Sequence, residues 1–168
     1  MAPVIRGNSL YTIVDGPSWT QAEAHSVKLG GHLATIGSQE ENQYLIDTFR
    51  NLGTAPNTGD AWIGANDKDT EGIWKWSSGE SFNYTNWHRN PDFGQEPNNL
   101  GGNEDYGMLY LSYPGRQMGV GYWNDGENNG VGRGIAETPF IRRGDSAYVI
   151  VQGPTWEEAE ANAVKLGG

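Results

Sequence analysis

The chain of 168 residues contains no cysteine, so it has neither a disulfide nor a thiolate metal site. Basic residues are scarce. Eleven Lys and Arg stand against 21 Asp and Glu, for a net charge of −10. Phosphate backbones are held by Lys and Arg, so nucleic acid is excluded as a partner, and an anionic membrane surface is disfavoured for the same reason. Histidine is limited to His25, His32 and His88, too dispersed for a zinc centre. No apolar run reaches the ~18 residues of a membrane span, and "MAPVIRGNSL" does not read as a secretory signal. The sequence reads as a piece of a longer protein.

What is present is unusual in balance. Seven Trp and eight Tyr accompany only four Phe, and mean hydropathy is −0.66. A compact domain with an aromatic core and many loops suits that mix. Glycine, 25 residues in all, follows no repeat period, so collagen-like order is excluded and special backbone angles in loops explain it better.

One repeat does stand out. "GNSLYTIVDGPSWTQAEAHSVKLGG" at 7–31 returns as "GDSAYVIVQGPTWEEAEANAVKLGG" at 144–168, with about two thirds of the positions identical. The 137-residue displacement far exceeds the ~20–50 residues of solenoid repeats. Tandem domains are expected: a leader at 1–6, one whole unit at 7–138, a linker at 139–143, and the opening strand and helix of a second unit at 144–168. Alone, that second segment has nothing to cover its apolar face, and exchange with 7–31 of a neighbouring molecule would make a domain-swapped dimer.

Within the unit, "SLYTIV" alternates as a strand does, and Ser18 is placed to cap a helix over "WTQAEAHSVKLGG" with Trp19, Ala22, Val27 and Leu29 inward. Ser38 with Glu41 predicts a capping box opening a second helix that turns Tyr44, Leu45 and Phe49 to the core. "HLATI", "AWIGA", "GIWKWS", "YGMLYLS" and "GRGIAE" read as strands. Two helices followed by strands and long loops define an α+β domain. Trp62, Trp74 and Trp76 are read as core, Trp87 and His88 as core or rim, and His25 and His32 as structural.

The loops carry the acidic residues. "GQEPNNLGGNEDY" at 94–106 gathers Glu96, Asn98, Asn99, Glu104 and Asp105 among glycines, and "NDKDTEG" adds Asp67, Asp69 and Glu71. Hard cations such as calcium take six to eight oxygen ligands from carboxylates, amides and backbone, which these loops can supply. Asp67-x-Asp69-x-Glu71-Gly72 begins like an EF-hand loop, but its twelfth position is Ser78 and no helix follows.

"WIGANDKDTEGIWKW", "EPNNLGGNED" and "WND", in that order after two helices, resemble the C-type lectin domain, and the likeness covers residues 7–138. The resemblance implies a C-type lectin-like fold: two helices on small antiparallel sheets with a long calcium-binding loop region. Matched position by position, Glu96, Asn98, Glu104, Asn124 and Asp125 would hold one calcium and bond two vicinal sugar hydroxyls, with Pro97 in a cis peptide. A second, structural calcium would fall on Asp67, Glu71, Asn99, Glu104 and Asp105, although an Asp is usual where Asn99 stands. The E-P-N order implies sugars with equatorial 3- and 4-hydroxyls: mannose, fucose, glucose or N-acetylglucosamine. A secreted or cell-surface adhesin-like parent, without catalysis, is implied. A module that binds protein or ice without sugar is the alternative, and a carboxylate-pair glycosidase the third and weakest reading.

The family's disulfides are missing. Tyr106, Ala136 and His25 or its neighbour occupy regions where its cysteines are usual. Aromatic packing and the cation are expected to replace a contribution of ~2–4 kcal/mol per disulfide. Arg116 and Met118 are expected to extend the sugar contact surface.

Overall fold

In the computed structural model, residues 2–50, 59–90, 94–111 and 119–168 are described. The chain runs β1 (Val4–Arg6), β2 (Ser9–Gly16), α1 (Trp19–Lys28), β3 (His32–Leu33), α2 (Gln39–Phe49), β4 (Asp60–Asn66) and β5 (Lys75–Trp76). It continues through β6 (Arg89–Asn90), β7 (Gly94–Gln95), a 3-10 turn (Leu100–Gly102), β8 (Tyr106–Tyr110), β9 (Trp123–Gly126) and β10 (Gly132–Pro139). It closes with β11 (Ile141–Arg143), β12 (Ser146–Tyr148) and α3 (Trp156–Lys165). The class is α+β, as expected.

The main sheet is larger than expected. Its order is β1-β2-β10-β4-β8-β9, with β3 added to β10 and β5 to β4. β2 and β10, far apart in sequence, run antiparallel over their full lengths from Gly132↔Gly16 to Pro139↔Ser9. β4 meets β10 in parallel at Gly134↔Trp62, so the sheet is mixed. β4 is buried along its whole length, which explains why "AWIGA" shows no polar alternation.

Both capped helices start where the side chains dictate. Ser18 Oγ accepts from Gln21 N at 3.2 Å, and Ser38 Oγ accepts from Glu41 N at 3.2 Å. The second half of the expected capping box is altered, because Glu41 Oε2 accepts from Gly37 N instead. On α1 the buried positions are Trp19, Ala22 and Ser26, followed by Leu29, while Val27 is only half-buried. Ser26 is tolerated inside because its hydroxyl donates to Ala22 O at 2.9 Å. Tyr44 is likewise half-buried, lying edge-on to Tyr11.

Two expectations need correcting. "HLATI" and "GIWKWS" yield only the two-residue strands β3 and β5, with Ile73 exposed. Residues 4–6 and 141–143 form strands β1 and β11. Each is the first arm of a hairpin.

The aromatic core is as the composition requires. Trp123 sits at its centre, with the rings of Trp76, Tyr84, Trp87 and Phe82 at 5.6, 5.7, 5.6 and 6.5 Å, mostly edge-on. Trp62 and Trp76 are buried, and Trp74 packs against Trp87 at 4.5 Å. Tyr106, in a region where a cysteine was expected, stacks on Trp19 at 5.0 Å, while Ala136 is fully buried.

Candidate functional site

The acidic loop is strapped to the end of the main sheet through one peptide. Glu96 N donates to His88 O at 2.9 Å, and His88 N donates to Trp123 O at 2.8 Å. The Glu96-Pro97-Asn98 turn is thereby laid beside β9, which carries Asn124 and Asp125. The Glu96–Pro97 peptide is cis. Asn99 then takes the left-handed conformation, φ 46°, which Asn tolerates better than most residues. That bend leads into the 3-10 turn and returns the chain to Glu104.

Asp125 is the hub. It is buried, and its carboxylate accepts from Asn98 N at 3.0 Å and from Asn99 N at 2.8 Å. It also shares a hydrogen bond with the carboxyl of Glu96. Burial first, then that bond and the charges of Asp125 and Glu104, push Glu96 up to about 7. Its Oε2 is buried without a hydrogen-bond partner. Asn124 Nδ2 donates to Asp125 O at 2.6 Å, leaving Asn124 Oδ1 buried and unpartnered as well. Glu104 Oε2 accepts from Leu100 N at 2.6 Å. Burial raises the Glu104 carboxyl, the Leu100 N–H opposes this, and the Asp125 and Glu127 charges add to the rise. Asn98 is exposed.

The second expected set lies alongside. Asp67 is buried, its Oδ2 accepts from Gly72 N at 2.8 Å, and its Oδ1 is unpartnered. Burial raises Asp67, the Gly72 N–H pulls it down, and the charges of Glu71, Asp105 and Asp125 push it up again. Asn99 Nδ2 donates to Glu71 Oε2, while Asn99 Oδ1 accepts from Glu104 N at 3.0 Å. Asp67 N is held by Asp105 O at 3.1 Å. Asn99 thus supplies both a donor and an acceptor where an Asp would supply acceptors only.

These oxygens suit a hard cation. Mutually repelling carboxyls and buried oxygens without donors are compensated by positive charge. Among the described residues no group of three or more His, Cys, Asp or Glu forms a metal cluster by those side chains alone. The set reaches a hard ion's oxygen count only with the amides of Asn98, Asn99 and Asn124, as calcium chemistry allows. His25 and His32 are engaged elsewhere, with Asp15 O and Glu23 Oε1, both at 2.6 Å.

Sequence reasoning missed three contributors. His88 acts through its backbone, which no motif displays. Glu127 lies two residues beyond Asp125, and its acidity beside W-N-D was an available signal. Asn42, on α2, reaches the site strand from 81 residues away and left no sequence trace. Arg116, Met118 and Phe93 fall outside the described residues.

A sheet with strapped acidic loops of this kind defines a lectin-type domain. Residues 15–132 match the model of the lectin C-type domain, and the chain belongs to that family. It is 42% identical over 77 residues to C-type lectin domain family 4 member F of Mus musculus, covering 46% of this chain and 13% of that protein. It is 40% identical over 87 residues to ladderlectin of Oncorhynchus mykiss, covering 52% of this chain and 42% of that protein. The match therefore spans less than half the length of either relative. Among solved structures, the cow carbohydrate-recognition domain of CD23, determined in the presence of a GlcNAc2Man3 oligosaccharide, superposes with a TM-score of 0.65. It shares 26% identity, with 84% of this chain and 95% of that one covered. A calcium-independent type II antifreeze protein shares the fold at 23% identity and a TM-score of 0.64, over 83% of this chain and 93% of that one.

Proposed function

We propose that this domain binds carbohydrate in a calcium-dependent manner, without catalysis. The observation that carries the reading is the pair of buried, unpartnered oxygens beside Asp125, namely Glu96 Oε2 and Asn124 Oδ1. Glu96, Asn98, Glu104, Asn124 and Asp125 would hold one calcium. When bound, calcium supplies open coordination positions to two neighbouring sugar hydroxyls. The chain's own part is to orient them: carboxylates accept from hydroxyls, and the amides of Asn98 and Asn124 donate to them. The E-P-N order favours equatorial 3- and 4-hydroxyls, hence mannose, fucose, glucose or N-acetylglucosamine. The sugar class in the CD23 structure's oligosaccharide is consistent with that preference. Asp67, Glu71, Asn99, Glu104 and Asp105 form a weaker second calcium site, because Asn99 replaces one charge with an amide.

A monosaccharide bound at one exposed site is held with about −4 kcal/mol, roughly millimolar. Linked units overcome that weakness by raising effective concentration. Residues 7–138 would be one unit and 144–168 the opening of another, within a secreted or cell-surface protein.

Calorimetric titration of calcium into the stripped protein, followed by mannose and then galactose, tests the reading. Calcium binding followed by weak mannose binding that chelator abolishes is the expected result. Mannose binding that survives chelation, preference for galactose, or no calcium heat would overturn it.

A further inference from the structure

The C-terminal segment is built as a second copy of β2 and α1. The hairpin, the helix and its cap recur 137 residues on, although β12 ends at Tyr148 where β2 runs on to Gly16. The hairpin β11–β12 repeats β1–β2, with Gly144 at the same φ of 59° as Gly7. Thr155 caps α3 through Glu158 N at 3.3 Å as Ser18 caps α1. Asn162 Nδ2 bonds Gln152 O as His25 Nδ1 bonds Asp15 O. The two copies differ in what covers them. Trp19 is 1% exposed and donates to Ile63 O at 2.7 Å, whereas its counterpart Trp156 is 74% exposed. Tyr11 is buried, whereas Tyr148 lies in solvent with Ile150 and Val164.

The C-terminal copy does rest on the body, but loosely. Gln152 N donates to Lys28 O at 2.9 Å, and Ile150 O presses on Gly30, where any Cβ would collide. Around those contacts, clefts of about 450, 580 and 220 Å³ remain between the segment and the body. Protein interiors are close-packed, so an interface left with such clefts is packed less tightly than the core.

We infer that residues 146–168 can take the seat of residues 9–31 in the same molecule, so that one body accepts either copy. The strand register permits it. β10 ends with Pro139 opposite Ser9, and Ser146 is the counterpart of Ser9. If the C-terminal copy pairs with β10, residues 140–145 become a six-residue hairpin connection, short enough to close at little entropic cost. β11 would dissolve into that connection. The seat fits the newcomer. Trp156, Ala159, Leu166 and Gly153 match Trp19, Ala22, Leu29 and Gly16, and Glu160 matches the Glu23 that holds Leu33 N at 2.9 Å. The N-terminal copy holds the seat at rest, because buried Leu10 corresponds to the smaller Ala147.

Hydrogen exchange on the full chain, on Trp19→Ala, on Trp156→Ala and on the double variant tests this. In the parent and in Trp156→Ala, 9–31 is protected and 146–168 exchanges fast. In monomeric Trp19→Ala the protection passes to 146–168 and the body stays folded, while the double variant loses both. Adding Ala147→Leu to Trp19→Ala raises its thermal midpoint. The inference is overturned if Trp19→Ala matches the double variant, if Ala147→Leu leaves the midpoint unmoved, or if Trp19→Ala refolds only as a dimer.

Discussion

Trp123 Nε1 donates to Asn42 Oδ1 at 2.8 Å, and Asn42 Nδ2 donates in turn to Gly121 O at 2.9 Å. One amide on α2 thereby anchors both the central core ring and the approach to the strand that carries Asn124 and Asp125.

Replacing Asn42 with Leu would strand the buried indole N–H of Trp123, while Gly121 O keeps the amide of Asn86, which donates to it at 2.8 Å. One unsatisfied buried group costs about 1–3 kcal/mol, so a loss of roughly that size is expected in urea unfolding. Calcium affinity should fall with it, because β9 loses its support. Unchanged stability would show that the amide is dispensable.

The metal-free protein should lose stability as pH rises from about 4.5 to about 7. Glu96 in the folded state keeps its proton up to about 7, against an ordinary 4.5, so the folded state binds more protons across that window. Glu104 and Asp67, raised by burial, act in the same direction. Thermal midpoints in chelator, taken across this range, check the sign. Calcium should reverse the trend, since its ligands bind it deprotonated and its affinity falls below pH 7.

Converting Glu96-Pro97-Asn98 to the Q-P-D order, by Glu96→Gln with Asn98→Asp, exchanges the acid and the amide on the two sides of Pro97. The mannose-to-galactose affinity ratio should shift at least tenfold toward galactose, about 1.4 kcal/mol. Competition on immobilised sugars measures it. An unmoved ratio would remove these residues from specificity.

Asn99→Asp replaces the amide that donates to Glu71 with a carboxylate facing it. Without calcium the thermal midpoint should drop. With calcium, the affinity for the second ion should rise. A lower midpoint that calcium does not restore would mean that Asn99 only supports the loop.

Much of the architecture was readable in one dimension. Ser18 and Ser38 marked both helix starts, because a cap is a local hydrogen bond to a residue three positions on. The 137-residue repeat foretold the third helix. Elements with non-local causes read poorly. β3 and β5 are short because each finds a ladder partner over only two residues, and β1 is a strand only because β2 lies beside it. Ser26 looked polar and Val27 apolar, so the helix face was misjudged until Ala22 O was seen to satisfy the hydroxyl.

The residue order determined which oxygen donors, aromatic rings and caps this protein owns, since those are matters of composition and short spacing. Tertiary structure alone decided that His88 and Asp125 hold the acidic loop beside β9 and that Asn42 braces the core ring from which β9 starts. It also decided which copy of the repeated segment sits on the sheet. Those outcomes depend on burial and on contacts between residues tens of positions apart, where desolvation and packing act and spacing along the chain carries no record.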